Sequence, residues 1–195
     1  MRLTLASQSA ARRKLLADVG LTFDAVPSHV DEDSLKAGLL ARGRSPSEIA
    51  LALAEAKAVD VSRHTPGLVI GADQTLDFKG WLYDKPRDLD ELRTHLTAFR
   101  GNPHHLHAAV ALAEGGVIVW RTIETATLHV REFSDDFLDA YLEREGAAVL
   151  GCVGGYRIEG EGLQLFERIK GDYFTILGLP MLGLMDELRT QGLLL

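Results

Sequence analysis

The first apolar blocks of the chain alternate between strand-like and helix-like spacing. An apolar run over residues 3–6 predicts a buried strand, and Ser9 is placed to cap the helix that follows. That helix is predicted over residues 10–19, because its leucines recur at helical spacing and a glycine follows. A short strand predicted over residues 23–26 leads into an acidic turn at residues 30–34.

Two strong helix starts come next, on either side of a fully apolar segment. Ser45, followed by a proline and by Glu48 three residues on, has the pattern of a capped helix, predicted to reach about residue 61. Residues 68–73 predict a buried strand that ends on a carboxylate. The cap-plus-acid pattern recurs at residues 88–91 and predicts a helix to about residue 99.

The second half of the chain predicts five strands and two more helices. Strands are predicted over residues 106–113, 117–123, 125–131, 163–168 and 173–177, and helices over residues 134–145 and 180–189, with a glycine-rich stretch at 151–162. Alternating elements early in the chain and antiparallel strands in the middle predict an α/β fold with a mixed sheet. We expect a single domain over residues 1–195.

Composition narrows the class of protein. The chain has 21 Lys and Arg against 28 Asp and Glu, a formal charge of −7, which argues against a protein that coats nucleic acid. Hydrophobic residues make up 46% and charged residues 25%, which is typical of globular proteins and argues against disorder. The chain has no stretch of 18 consecutive apolar residues, so we expect no membrane-spanning helix. The single Cys152 cannot form an intramolecular disulfide. We therefore expect a soluble, cytoplasmic protein.

A cationic cluster stands at the first strand-to-helix turn. Ser7 and Ser9 precede three consecutive cations, Arg12, Arg13 and Lys14. A helix N-terminus attracts anions, and arginine offers several donors to phosphate oxygens. The alternative is a solvated charge run in which Ser9 merely caps the helix, and the residues leave both interpretations open.

Acidic residues form the second candidate cluster. Hard divalent cations such as Mg²⁺ bind carboxylates together with substrate phosphates. Asp31, Glu32 and Asp33 could supply such ligands, although these residues taken alone are better explained by a surface turn. Asp73 follows buried residues, so its ionised side chain needs a partner, either a ligand or an arginine.

The remaining candidates are weaker when they are taken alone. Lys57 lies in an alanine-rich helix and is interpreted as solvated, and Lys85 precedes a proline in an extended segment or surface turn. The three histidines at residues 104–107 lack the ligand spacing of a metal site and are interpreted as polar strand residues. We interpret Cys152 as structural.

In their order along the chain, these clusters resemble the Maf family of nucleotide pyrophosphatases. The resemblance rests on Leu5-Ala6-Ser7-x-Ser9 followed by arginines, Leu53-Ala54-x-x-Lys57-Ala58, Gly71-Ala72-Asp73, Lys85-Pro86, Gly171-Asp172-Tyr173 and Gly178-Leu179-Pro180. It covers essentially the whole chain. It implies an elongated α/β fold with a mixed sheet and a central cleft between two lobes, similar to inosine triphosphatases. Family members are often homodimers.

The resemblance also implies a reaction and residue roles. The family hydrolyses a nucleoside triphosphate to the monophosphate and pyrophosphate, removes non-standard nucleotides and uses a divalent metal, Mg²⁺ or Mn²⁺. Asp73 corresponds to the general base, and Glu32 to a metal or water ligand beside it, so that these two carboxylates would hold the metal. The triphosphate clamp would consist of Ser7, Arg12, Arg13, Lys57 and Lys85.

Three further positions correspond to those that select the base. Ala11, Gln74 and Glu159 all differ from the arginine, threonine and glutamine of members that cleave dTTP and UTP. Glutamine and glutamate are instead similar to members acting on 7-methyl-GTP, which tend to carry tryptophan where Ala11 stands. A carboxylate can accept both N–H groups on the edge of guanine. We therefore expect a 7-methyl-GTP-like substrate, with dTTP or UTP as the alternative.

A second class of function fits the family's association with cell division. The chain could bind nucleotides or nucleic acid as a regulator of septum formation without catalysis. The charge of −7 argues against broad DNA binding, while Arg12–Lys14 and Arg42–Arg44 leave a local basic patch open.

Overall fold

The computed structural model describes residues 2–195, and Met1, the first residue of the predicted domain, lies outside the described residues. Its strands are β1 Leu3–Ala6, β2 Asp24–Ala25, β3 Leu68–Phe78, β4 Trp81–Tyr83, β5 Pro103–Glu114, β6 Val117–Val130 and β7 Phe166–Lys170. Its α-helices are α1 Ala10–Asp18, α2 Glu32–Leu40, α3 Pro46–Ser62, α4 Leu89–Phe99, α5 Asp135–Glu145, α6 Tyr173–Ile176 and α7 Met181–Thr190.

The strands form one mixed sheet of seven strands, in the order β2-β1-β3-β5-β6-β7, with β4 also paired to β3. β1 lies parallel to both β2 and β3, whereas β4 is antiparallel to β3 and β7 is antiparallel to β6. The predicted α/β class with a mixed sheet is therefore confirmed.

The predicted helix starts are confirmed by their caps. The side chains of Ser9, Ser45, Asp88 and Ser134 each accept a hydrogen bond from a backbone N–H three residues on. At Ser45 the box is complete, because the Glu48 side chain also accepts from the Ser45 N–H. Local capping chemistry thus sets the N-termini of α1, α3, α4 and α5.

Three predictions of secondary structure were wrong in kind, and a fourth was wrong in where a strand begins. The acidic turn at residues 30–34 is the start of α2, because acidic residues in a first turn stabilise a helix. The separate strands predicted over residues 117–131 are the single strand β6. The predicted strand over residues 173–177 is instead α6, because Asp172 caps it by accepting from the N–H groups of Phe174 and Thr175. The strand predicted from residue 163 begins only at Phe166.

The described chain divides into two compact units. Unit 1 comprises the residues up to Gln74, His107–Thr125 and Asp172–Leu195, and unit 2 comprises Thr75–Leu106 and Ala126–Gly171. The single domain predicted over residues 1–195 stays a prediction. No helix among residues 2–195 is both long enough and apolar enough to cross a membrane.

Each unit has its own apolar packing. In unit 1, leucines of β1 and α1 pack with β3 and with the buried face of α7. In unit 2, aromatic rings from Phe99, Tyr156 and Phe166 pack around the buried imidazole of His104, and Phe78 packs on Phe99.

Candidate active site

A lysine between two carboxylates lies at the centre of the candidate site in unit 1. The Lys57 ammonium is 2.7 Å from Oδ1 of Asp73 and 2.9 Å from Oε2 of Glu32. The Lys57 and Asp73 side chains are 9% and 12% exposed, whereas that of Glu32 is 45% exposed. The buried ion pair of Lys57 and Asp73 is therefore bonded, through Lys57, to the Glu32 carboxylate, which solvent and ligands can reach. The structure brings these three predicted residues together, and the interpretation of Lys57 as solvated was wrong.

Close packing of α3 on β3 places Lys57 beside Asp73. A Cβ at Gly71 would collide with the Ala54 carbonyl oxygen and with the backbone of Ala58, so only glycine fits there. Ala54 and Ala58 are fully buried. Small side chains on both elements thus let the helix approach the strand closely, one turn from Lys57 and two residues from Asp73.

Glu32 is presented by the first turn of α2. Asp31 caps the helix by accepting from the Ser34 N–H at 3.1 Å, and its other oxygen accepts from the Ser34 hydroxyl at 2.7 Å. These hydrogen bonds lower the pKa of Asp31. The positive end of the helix dipole also favours a carboxylate at Glu32. The acidic segment is therefore an ordered helix start rather than the surface turn considered from sequence.

Arg12 is buried and bonds to backbone rather than lying open to solvent. Its Nη1 donates to the Ala72 carbonyl at 2.8 Å and its Nε to the Gly178 carbonyl at 2.9 Å. Burial lowers the pKa of Arg12, while the nearby charges of Asp73 and Glu32 oppose that shift. The guanidinium thus supplies positive charge to the site and also ties together two distant parts of unit 1.

The other predicted residues of this turn surround the start of α1. Ser7 is half-buried, and its hydroxyl accepts from the Ser9 N–H at 3.1 Å. Ala11 and Arg13 are exposed on the first turn, and Arg13 donates to the Gln8 carbonyl at 3.3 Å. Ser7, Ala11 and Arg13 therefore lie on the same strand-to-helix turn as Arg12.

Gln74 follows Asp73 on β3 and is held by its amide. Its Nε2 donates to the carbonyls of Thr175 and Ile176, at 3.0 Å each. With both amide hydrogens bonded to backbone, the side chain can offer a ligand only its acceptor oxygen. The structure therefore brings Gln74 into the same part of unit 1 as Asp73 and Arg12.

The remaining predicted residues, Lys85 and Glu159, belong to unit 2. Both are exposed, and both act electrostatically on the half-buried Cys152. Burial raises the pKa of the Cys152 thiol and Glu159 raises it further, whereas Arg157 and Lys85 oppose the shift. Within unit 2, Lys85 and Glu159 thus both lie within electrostatic range of Cys152.

The strand histidines are held by hydrogen bonds. His105 and His107 bond through Nδ1 to the hydroxyls of Thr127 and Thr125, at 3.0 and 2.8 Å. His104 is buried and bonds through Nε2 to the Tyr156 hydroxyl at 2.6 Å. Their interpretation as polar strand residues is confirmed. Among residues 2–195 no three His, Cys, Asp or Glu side chains form a group that could hold a metal ion by themselves.

Two contacts, one in each unit, escaped the sequence analysis. The buried Thr175 donates its hydroxyl to Oε2 of Glu124 at 2.7 Å, across 51 positions of the chain. In unit 2, Arg157 bonds to the buried Glu145 at 2.7 Å. The motif around Gly178 pointed to the C-terminal segment, but no local pattern identifies its partner on β6.

Comparison with known proteins gives consistent matches over nearly the full length. A family model described as Maf-like protein matches residues 2–191. A nucleoside triphosphate pyrophosphatase of Caulobacter vibrioides is 58% identical over 191 residues, which are 98% of this chain and 96% of that protein. A 7-methyl-GTP pyrophosphatase of Rhizobium meliloti is 50% identical over 191 residues, 97% of this chain and 96% of the relative. A nucleoside triphosphate pyrophosphatase of Granulibacter bethesdensis is also 50% identical, over 190 residues, with 97% and 96% covered.

Proposed function

The chain belongs to the Maf family, and we propose on that premise that it hydrolyses a nucleoside triphosphate to the monophosphate and pyrophosphate. The observation that carries this proposal is the Lys57 ammonium bonded to both Asp73 and Glu32. Relatives named for this activity match almost the whole chain, so the site residues belong to the shared part.

Asp73 is the general base of this proposal. A water molecule attacks the α-phosphorus, its proton passes to Asp73, and the bond from the α-phosphorus to the bridging oxygen breaks. Pyrophosphate leaves with the electron pair of that bond. Lys57 holds Oδ1 of Asp73 at 2.7 Å, which orients the carboxylate and leaves Oδ2 to take the proton.

The charge of the site favours a divalent metal, Mg²⁺ or Mn²⁺. The two buried cations Arg12 and Lys57 are already balanced by Asp73 and Glu32, so a triphosphate brings uncompensated negative charge. Two carboxylates beside substrate phosphates form a donor set that Mg²⁺ accepts. Glu32 and Asp73 would hold the ion, which would neutralise charge on the phosphates and acidify the attacking water.

The phosphate clamp comprises Ser7, Arg12, Arg13, Lys57 and Lys85. Arg13 is the exposed arginine of the first α1 turn. Its side chain donates to the Gln8 carbonyl at 3.3 Å, and this exposed contact can be exchanged for a ligand. Arg12 acts through its positive charge, because two of its donors are bonded to backbone. In unit 2, Lys85 is exposed on the loop after β4.

The substrate class follows from two acceptors and a small residue. Gln74 can offer only Oε1, and Glu159 carries a carboxylate, so both favour a base edge that donates N–H groups. Guanine presents such an edge, and we propose 7-methyl-GTP or another non-standard guanine nucleotide as substrate. Ala11 leaves room on the first α1 turn for the base. Cleavage of dTTP and UTP is the alternative.

Pyrophosphate release from a panel of nucleotides tests this proposal. The panel contains 7-methyl-GTP, GTP, UTP, dTTP and ATP, with Mg²⁺ or Mn²⁺. The purified protein should release pyrophosphate, and Asp73→Asn should lose nearly all turnover while remaining folded. Asp186→Asn, in an exposed part of α7, is the matched control and should keep full activity. Turnover that survives in Asp73→Asn would remove the general base from the proposal.

The alternative hypothesis, a regulator of septum formation that binds nucleic acid, is weakened by the positions of the basic residues. Arg12 is buried, Lys14 bonds to Asp18 at 2.8 Å, and Arg44 bonds to Glu48 at 2.6 Å. Three of the five cations in the predicted patches are thus buried or paired, which leaves less positive charge for nucleic acid. Salt-dependent binding of DNA by the Asp73→Asn variant separates this role from catalysis. A cytoplasmic location and a homodimer complete the proposal, and fractionation and light scattering test them.

A further inference from the structure

A short C-terminal segment, Asp172–Gly178, is tied to the strand that carries Asp73. Gln74 donates its two amide hydrogens to the carbonyls of Thr175 and Ile176, at 3.0 Å each. These partners are 101 and 102 positions away along the chain. The bonds are therefore tertiary, and they join the segment to the residue directly after Asp73.

Arg12 makes the same connection on the other side of Asp73. Its guanidinium bridges the Gly178 carbonyl at 2.9 Å and the Ala72 carbonyl at 2.8 Å. The pairing of β1 with β3 runs only from Leu68 to Gly71, so Arg12 bonds the first carbonyl beyond that register. Both chain neighbours of Asp73 are thus attached to one segment, Gln74 directly and Ala72 through Arg12.

The segment is itself well ordered. Asp172 accepts from the N–H groups of Phe174 and Thr175 at 2.9 and 3.2 Å, and the Gly178 N–H donates to the Thr175 carbonyl at 3.0 Å. The Thr175 hydroxyl is bonded to Glu124 on β6. Gly178 has a φ of 91°, and a Cβ there would lie 3.4 Å from the Gln74 oxygen. A segment fixed in this way can fix what is bonded to it.

Asp73 is held by contacts on both faces of β3. Side chains alternate along a strand, so Asp73 faces away from Gln74. Lys57 holds the carboxylate oxygen on one face, Gln74 bonds to the segment from the other, and Arg12 bonds the backbone carbonyl of Ala72. A carboxylate that takes a proton from water needs both its side chain and its backbone held in place, because a small displacement lowers the reaction rate strongly.

We propose that Gln74 is a positioning residue that orients Asp73 by fastening β3 to the segment Asp172–Gly178. This inference rests on the proposed pyrophosphatase function and adds a role for Gln74 besides contact with the base. It follows that the amide hydrogens of Gln74 matter for every substrate, whereas a residue that only reads the base would matter for some.

Two isosteric variants test the role of the amide. Gln74→Met keeps the length and loses both donors, and Gln74→Glu keeps Oε1 but sets a carboxylate against two carbonyls. Gln191→Met, which removes an amide bonded to Glu187 at the end of α7, is the matched control. The measurements are kcat and KM on the nucleotide panel, together with hydrogen exchange of the peptide spanning residues 172–179, whose last four amides are bonded within the segment.

Both Gln74 variants should lose kcat by about tenfold to a hundredfold on every nucleotide, and Gln74→Glu, which keeps Oε1, should do so by a similar factor on each and with KM little changed. Exchange over residues 172–179 should become faster, while Gln191→Met behaves as wild type. An unchanged kcat with an altered preference among bases, or unchanged exchange in folded variants, would overturn the proposal. An inactive wild-type protein would refute the pyrophosphatase function alone, because exchange still decides whether Gln74 fastens the segment. If one variant fails to fold, the other decides.

Discussion

Lys57 on α3 and Asp73 on β3 lie 16 positions apart in the sequence and form a buried ion pair, with 2.7 Å between the ammonium and Oδ1. The pair is almost completely enclosed, whereas Glu32, the second carboxylate bonded to Lys57, is reached by solvent. A buried pair of this kind is costly to break from one side, because the remaining charge loses its partner without regaining water.

Lys57→Met should therefore destabilise the protein as well as inactivate it. The free energy of unfolding should fall by about 3 kcal/mol, since Asp73 is left buried without its cation. Urea denaturation measures the loss. Lys14→Met, which breaks only the exposed pair with Asp18, should change stability little. Equal effects of the two substitutions would mean that the Lys57 pair is no more than a surface contact.

Gly71→Ala should damage the site without changing any charged residue. The new methyl group collides with the Ala54 carbonyl and the Ala58 backbone, so α3 must move away from β3 and carry Lys57 with it. We expect a loss of about 2 kcal/mol in stability and a fall in kcat. The control is Gly38→Ala in α2, where a Cβ has open space, and it should stabilise by about 0.5 kcal/mol or more. Wild-type activity of Gly71→Ala would show that the close packing is dispensable.

Acid should destabilise unit 2 through His104. Burial lowers the pKa of His104 from 6.5 to about 3, and His105 and His129 add to the shift. The folded state therefore resists protonation, so its stability is complete above pH 6.5 and declines as the pH falls from 6.5 towards 3. At pH 5 the penalty is about 2 kcal/mol.

Urea denaturation at pH 7.5 and pH 5 measures this dependence. His104→Gln keeps a hydrogen-bonding group for Tyr156 and does not titrate, so it should lose less stability on acidification than the wild type. His64→Gln, at an exposed position, should retain the wild-type dependence. Parallel pH profiles for His104→Gln and the wild type would exclude His104 as the source.

Removal of the Glu32 carboxylate should weaken the binding of Mg²⁺. An amide is a poorer ligand for Mg²⁺ than a carboxylate, so Glu32→Gln should raise the Mg²⁺ concentration needed for half-maximal activity by about tenfold. Titration of Mg²⁺ after treatment with a chelator gives this value. Asp33→Asn, at the exposed neighbouring position, is the control. Activity that is indifferent to the chelator would contradict metal dependence altogether.

Glu159→Gln should alter the choice of base. A glutamine amide cannot accept two N–H groups from guanine, so the ratio of kcat/KM for guanine nucleotides to that for UTP should fall by about tenfold or more. Glu167→Gln, an exposed glutamate on β7, should leave the ratio unchanged. The same ratio in Glu159→Gln as in the wild type would remove Glu159 from base selection.

Local chemistry made much of the fold predictable. Caps at Ser9, Ser45 and Asp88 are set by side chains within one helical turn of the N–H groups that they bind, so the sequence identifies them without reference to the rest of the chain. The apolar run ending on Asp73 likewise predicted a buried strand, although β3 continues to Phe78. The order of the motifs was sufficient to indicate the family.

Tertiary structure decided the elements whose local signals were ambiguous. The acids at residues 31–33 suit either a turn or a first helical turn, and packing of α2 on α3 brings Glu32 to Lys57. Tyr173–Ile176 has β-favouring residues, yet the cap at Asp172 and the bonds from Gln74 select a helix. Here long-range contacts outweigh weak local preference.

The sequence by itself indicated the family and predicted which residues carry the chemistry, because both follow from residue types and their order along the chain. Only the tertiary structure decided how they are used. Lys57 in an alanine-rich helix was interpreted as solvated, and a solvated charge run was one of two interpretations for Arg12, yet both side chains are buried. The physical reason is that burial depends on what packs against a side chain. The partners of these two cations, Asp73, Ala72 and Gly178, are brought to them only by the fold.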